Sequence, residues 1–116
     1  MVIIAFSSNT SKTLPRIVCK KFCHVAPIVQ TPSGMILYQF IRPRKFIKIP
    51  ITRHGLQLIK NNNWHMIYLH NKCDINFNPT TPVTCVDMTR QIIGMRRRVI
   101  QTPYGLYCEI CKQNAP

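Results

Sequence analysis

The chain has 116 residues, 46% of them hydrophobic, which allows one domain with a modest core. Sixteen Lys and Arg stand against three acids, Asp74, Asp87 and Glu109, for a formal charge of +13. So few carboxylates argue against paired-carboxylate catalysis and oxygen-ligand metal sites, while the cationic excess attracts polyanions, anionic surfaces or an acidic partner chain.

MVIIAF at the start is apolar but short. It lacks a basic opening and a small-residue cleavage site, so it reads as a first strand over residues 2–6 rather than a signal peptide. No apolar run approaches the roughly 18 residues a membrane span needs. In SSNTSKTLPRIVCKKF, Leu14, Ile17, Val18 and Phe22 fall at helical spacing, with Pro15 tolerable in a first turn. CHVAPIVQ and MILYQFI are β-prone and flank the turn former TPSG, which predicts a hairpin over 23–41. RPRKFIKIPI suggests a third, exposed strand, because Pro43 and Pro50 suit an edge.

TRHGLQLIKNN reads as a short helix weakened by Gly55, and WHMIYLH as a further strand. NKCDINFNPTTP is a loop of turn formers, MRRRVIQ a basic connector, and TPYGLYCEICKQ a last helix entered through Thr-Pro. There is no repeat, low-complexity segment or domain boundary. The order predicts a single α+β domain over 1–116, a small antiparallel sheet with packed helices.

PTTPVTCVDMTRQIIG, residues 79–94, carries the sharpest signal. Thr84 as N-cap and Asp87 at the third helical position make a variant capping box that sets Cys85 on the first turn. Unpaired N–H groups and the positive dipole end favour a thiolate there. Met88 and Ile92 share its face. A small buried hydrophobe is the competing reading of the same cysteine.

A nucleophilic thiol needs a base, and His24, at the start of the first hairpin strand, is the best placed of four histidines. If Pro32 and Ser33 form a two-residue turn, Gln39 lies diagonal to His24 on the same face and can fix its tautomer, while Tyr38 points the other way. Backbone-bonded His24 and plain edge-strand Gln39 are the bland alternatives.

SKTLPRIVCKKFCHVAPIV followed by TCVDMTRQIIG and TPYGLY resembles the circularly permuted papain-like enzymes, which include permuted NlpC-like peptidases and lecithin retinol acyltransferase-like proteins. The resemblance spans roughly residues 7 to 108. Its signature is a helix, a strand opening on His24-Val25-Ala26, a hairpin partner and a cysteine far downstream at a helix start. Gln39 or Tyr38 stands where the family often has a second histidine. The resemblance implies a permuted papain-like fold and a thiol hydrolase or acyltransferase acting on an amide or ester, such as a peptidoglycan peptide or a lipid ester. Cys85 would be nucleophile, His24 base and Gln39 the orienting group, with no cofactor or resident metal.

Small size, basic charge and a Lys, Ile and Asn bias typical of AT-rich genomes suggest a bacteriophage or small bacterial protein, cytoplasmic or virion-associated. There the fold can serve virion assembly as a non-enzymatic basic component contacting nucleic acid or an acidic partner. A third constellation is metal: Cys19-x3-Cys23-His24 and Cys108-x2-Cys111 could close a zinc site, though neither cluster sits on a Gly-rich knuckle turn. RPRKFIK and MRRR are the basic runs, and no nucleic-acid-binding motif accompanies them.

Overall fold

The computed structural model describes residues 1–7, 24–70, 78–95 and 102–113. The helix expected across Leu14 to Phe22, Cys19, Cys23 and most of the basic connector, with Arg96, Arg97 and Arg98, lie outside the described residues.

Five strands form one antiparallel sheet: β1 (Val2–Ser7), β2 (His24–Thr31), β3 (Gly34–Arg42), β4 (Lys45–Ile51) and β5 (His65–Leu69), in the order β4-β3-β2-β1-β5. Three helices complete the described α+β architecture: α1 (Arg53–Asn61), α2 (Cys85–Ile93) and α3 (Pro103–Gln113).

β1 lies between β2 and β5, and all six of its residues are buried. Its unbroken apolar run matches that position, since a strand covered on both faces has no polar alternation. Val2, Ile4 and Phe6 pack with Val25, Val29, Tyr38, Leu69 and the inner faces of α2 and α3. Ile3, Ala5 and Ser7 are buried on the opposite face. Ser7 stands directly across from His24.

The hairpin closes in the expected register, with Thr31 opposite Gly34 and Ile28 opposite Leu37. Thr31 Oγ1 donates to the Gly34 carbonyl at 2.8 Å. Gly34, at φ 135°, uses backbone freedom that side chains rarely allow. β4 is an edge strand, which accommodates Pro50 because its missing N–H faces no partner strand. A bulge between Phe40 and Arg42 tightens the β3–β4 turn, where Arg44 adopts φ 68°.

Pro27 decides the shape of the sheet. The Gln30 N–H donates to Met1 O, so even-numbered β2 amides point toward β1 and odd-numbered positions toward β3. Proline at 27 therefore removes a donor from the β3-facing edge. The β2–β3 ladder ends one residue earlier, at Ile28 and Leu37, while β1–β2 pairing runs on to His24. The sheet splits there, and α2 packs against β2 on that side of the core.

α2 is held at both ends by its own residues. Thr84 Oγ1 accepts from the Asp87 N–H at 3.0 Å, and Asp87 Oδ2 accepts from the Val83 N–H at 3.0 Å. Gly94 ends the helix in the left-handed conformation at φ 75°. Gln91 takes the Thr80 N–H and donates to its carbonyl, tying the approaching loop to the helix. α3 starts on Thr102, whose Oγ1 accepts from the Gly105 N–H, and buries Pro103, Leu106 and Ile110. α1 buries no residue and presents Arg53, His54 and Lys60 to solvent.

Candidate active site

Cys85 occupies the first position of α2, directly after its cap, with Met88 and Ile92 buried on the same helical side. The backbone N–H dipoles of Val25, Val86 and Cys85 itself favour its charged form. The last two are first-turn donors without carbonyl partners inside the helix. The Val25 N–H is one of the β3-facing amides left open where Pro27 ends the ladder. It belongs to the peptide that joins His24 to Val25.

Electrostatics at the sulfur run against the expected thiolate. Burial pushes the Cys85 thiol up from its ordinary value of 9.0, and the N–H groups of Val25, Val86 and Cys85 offset only part of this. Desolvating the charged form outweighs the helix end here, because the half-buried Cys85 packs against the core cluster. At rest Cys85 is a neutral thiol.

Strand parity sorts the other two residues. Val25 and Tyr38 face the core beneath α2. His24 and Gln39 carry the opposite parity, and both are exposed. His24 shares its face with Ala26, whose small side chain leaves the imidazole room at the strand end. The structure therefore puts His24 and Gln39 on one face of the hairpin, as expected from its register, and Cys85 on the other, with Val25 and Tyr38. Tyr38 stacks on Phe46 at 6.0 Å, with the Lys48 ammonium 5.7 Å from its ring centre, and burial raises its hydroxyl pKa. It is the polar side chain on the Cys85 side of the strand. Sequence reading overlooked Pro27, although a proline inside a run that otherwise reads as a central strand is a signal that pairing stops.

Cys108 and Cys111 lie on α3, both exposed, and belong to a different part of the surface. Among the described residues no three His, Cys, Asp or Glu side chains converge as a metal site. A pocket lined by Met1, Gln30, Met35, Ile51, Arg53 and Leu56 opens at the Thr31 end of the hairpin, away from Cys85. Among the described residues no helix is long and apolar enough to cross a membrane.

The raised thiol has a consequence for stability. The unfolded chain ionises Cys85 at its ordinary value, whereas the folded chain holds the proton more tightly. The resulting stabilisation is complete below about pH 9 and is lost as pH rises through the folded pKa. Tyr38 acts with the same sign above its ordinary 10.0. Urea midpoints measured at pH 7.5 and pH 10.5 should therefore fall further for the wild type than for Cys85→Ala. Equal falls would show that the native thiol ionises as an unfolded one does.

No family model, curated protein or solved structure matches this chain.

Proposed function

We propose that this chain is a permuted papain-like thiol hydrolase or acyltransferase that acts on an amide or ester. The observation that supports the reading is the placement of Cys85 on the first turn of a helix that packs against β2, the strand that opens on His24. The cysteine and the histidine come from distant segments, in the His-before-Cys order that permutation requires. Cys85 starts as a thiol. His24, at the first residue of β2, takes its proton as the sulfur attacks the carbonyl carbon, which requires the imidazole to turn from the exposed face around the strand end toward α2. The N–H groups of Cys85 and Val86 turn from the sulfur to the developing oxyanion. The leaving amine or alcohol receives the proton from His24, and water or a second acceptor then releases the acyl group. Gln39, on the His24 face, orients the imidazole.

An activated ester such as p-nitrophenyl acetate tests the nucleophile without knowledge of the natural substrate. Intact and peptide mass spectrometry should find one acetyl group on Cys85 of the wild type at neutral pH. Cys85→Ala should lose both the adduct and the burst of nitrophenol. Acetylation spread over Cys108 and Cys111 with none on Cys85 would end the proposal.

A specific observation also favours polyanion binding as a second reading. Every acid lies at or beyond Asp74, while eleven of the sixteen cationic residues precede it. Arg42, Arg44 and Lys45 are exposed at the β3–β4 turn, and Asp87 is engaged by Arg90 at 3.0 Å. With about four phosphates engaged and a slope near −0.9 each, affinity for duplex DNA should fall about 100-fold between 50 and 200 mM salt. Replacing Arg42, Arg44 and Lys45 by Gln should flatten that slope in a labelled-oligonucleotide titration. The absence of binding at 50 mM salt would direct the charge to an acidic protein instead.

A further inference from the structure

We propose that the β3–β4 turn, with the loop that leads into α2 beside it, is a docking surface for an anionic lipid bilayer. The inference is independent of the Cys85 reading and shares only its cations with the polyanion reading.

Large apolar side chains and cations are exposed together at this end of the sheet. Ile41 is 48% exposed, Ile47 43% and Val83 60%. Arg42, Arg44 and Lys45 lie between the two isoleucines in the chain, and residues 41–45 are exposed without a break. The backbone holds this arrangement. Phe40 pairs with Phe46, so Ile41 and Ile47 adjoin one cross-strand pair, and the bulge leaves Ile41 without a partner in the ladder. Arg44 donates its N–H to Pro82 O at 2.7 Å, which brings the residue next to Val83 against the turn. Lys48 Nζ donates to Asn78 Oδ1 at 3.0 Å and fastens the same loop to β4. Asp87 follows this loop, but Arg90 engages it at 3.0 Å, so its charge is already met.

A lone exposed aliphatic side chain is ordinary, whereas a cluster of them ringed by charge marks an interaction surface. The chemistry of the cluster selects its occupant. A second copy of this chain would set Arg42, Arg44 and Lys45 against their like. Duplex phosphates satisfy the cations but offer nothing apolar to Ile41, Ile47 or Val83. An anionic bilayer supplies both, with charged headgroups at the level of the cations and acyl chains just beneath them. Arg and Lys stems lie along that boundary while their heads stay among the headgroups. An exposed hairpin end also suits a yielding surface better than a folded partner, which must offer a pocket for each anchoring side chain.

The test is sedimentation of the full chain with phosphatidylcholine vesicles, with and without one-third phosphatidylserine. Wild type should sediment with the anionic vesicles and stay in solution with the neutral ones. Each cation near the surface contributes about fivefold, so Arg42→Gln/Arg44→Gln/Lys45→Gln should bind about 100-fold more weakly. Ile41→Ser/Ile47→Ser should bind about 10-fold more weakly, since half-exposed isoleucines have only part of their surface left to bury. Its circular dichroism should be that of the wild type, because both side chains are exposed. Val83→Ser should weaken vesicle binding several-fold without touching β3 or β4. A labelled-oligonucleotide titration keeps the two readings apart, because it responds to the cations and not to the isoleucines. Wild-type vesicle affinity in the isoleucine and Val83 variants would overturn the proposal, as would loss of oligonucleotide and vesicle binding in step when the isoleucines are replaced. Wild type that sediments with neither vesicle would also overturn it, and would leave the patch to an acidic protein segment.

Discussion

Phe6→Ala should cost about 3–5 kcal/mol of folding stability. Phe6 is fully buried in the strand that joins both halves of the sheet, opposite Val25 on one side and His65 on the other. Its ring meets Tyr107 of α3 edge-on at 5.4 Å. Removing it leaves a cavity bordered by three elements that are each fixed by other contacts, so the site collapses poorly. A small domain has about 5–15 kcal/mol in total, which puts the variant near the edge of folding. Urea denaturation followed by tryptophan fluorescence gives the value. Ile47→Ala is the control, because Ile47 is 43% exposed on the edge strand and should shift stability by no more than about 0.5 kcal/mol. Similar costs for the two substitutions would contradict the central placement of β1.

What the sequence made legible was what is encoded locally. Thr84, Asp87 and Gly94 announce the ends of α2 because a cap is made within four residues of itself. Pro32 and Ser33 set the hairpin register because a two-residue turn leaves one pairing. Pro50 marks the edge because a missing N–H can only face solvent. The strand order was not legible in this way. β5 pairs with β1 across some sixty residues of chain, and no local pattern specifies that partner, although the unbroken apolar run of β1 does imply two covered faces.

The candidate site divides along the same line. The position of Cys85 at a helix start was legible from its cap, and that of His24 at a strand start from the apolar run that follows it. The state of the thiol was not. The helix end and the burial of the sulfur pull its pKa in opposite directions, and which dominates depends on what packs over the first turn. The Val25 N–H could be found only through Pro27, whose effect reaches the site by opening the ladder two residues away.

If Cys85 is the nucleophile of the proposed reaction, its raised thiol makes the base the decisive residue. His24→Ala should lower the rate at which Cys85 is acylated by an activated ester about 10²- to 10⁴-fold near neutral pH, the usual contribution of a positioned general base. The argument rests on the raised thiol: without a proton acceptor the sulfur reacts only through its own ionisation, which burial moves to more alkaline pH. The variant should therefore keep a slow reaction whose rate climbs with hydroxide and lose the neutral-pH limb of the profile. Added imidazole should restore part of that limb, since the exposed position of His24 leaves the vacated space open to solvent. Two further variants identify the orienting group. Gln39→Leu should lower the rate if the partner is on the His24 face, and Tyr38→Phe if the ring turns toward the core side of β3. Stopped-flow nitrophenol release across pH 5.5–10 measures all of them. A His24→Ala protein that acylates Cys85 at the wild-type rate, with the wild-type pH profile, would remove His24 from the mechanism and leave Cys85 as a buried thiol beside a split in the sheet.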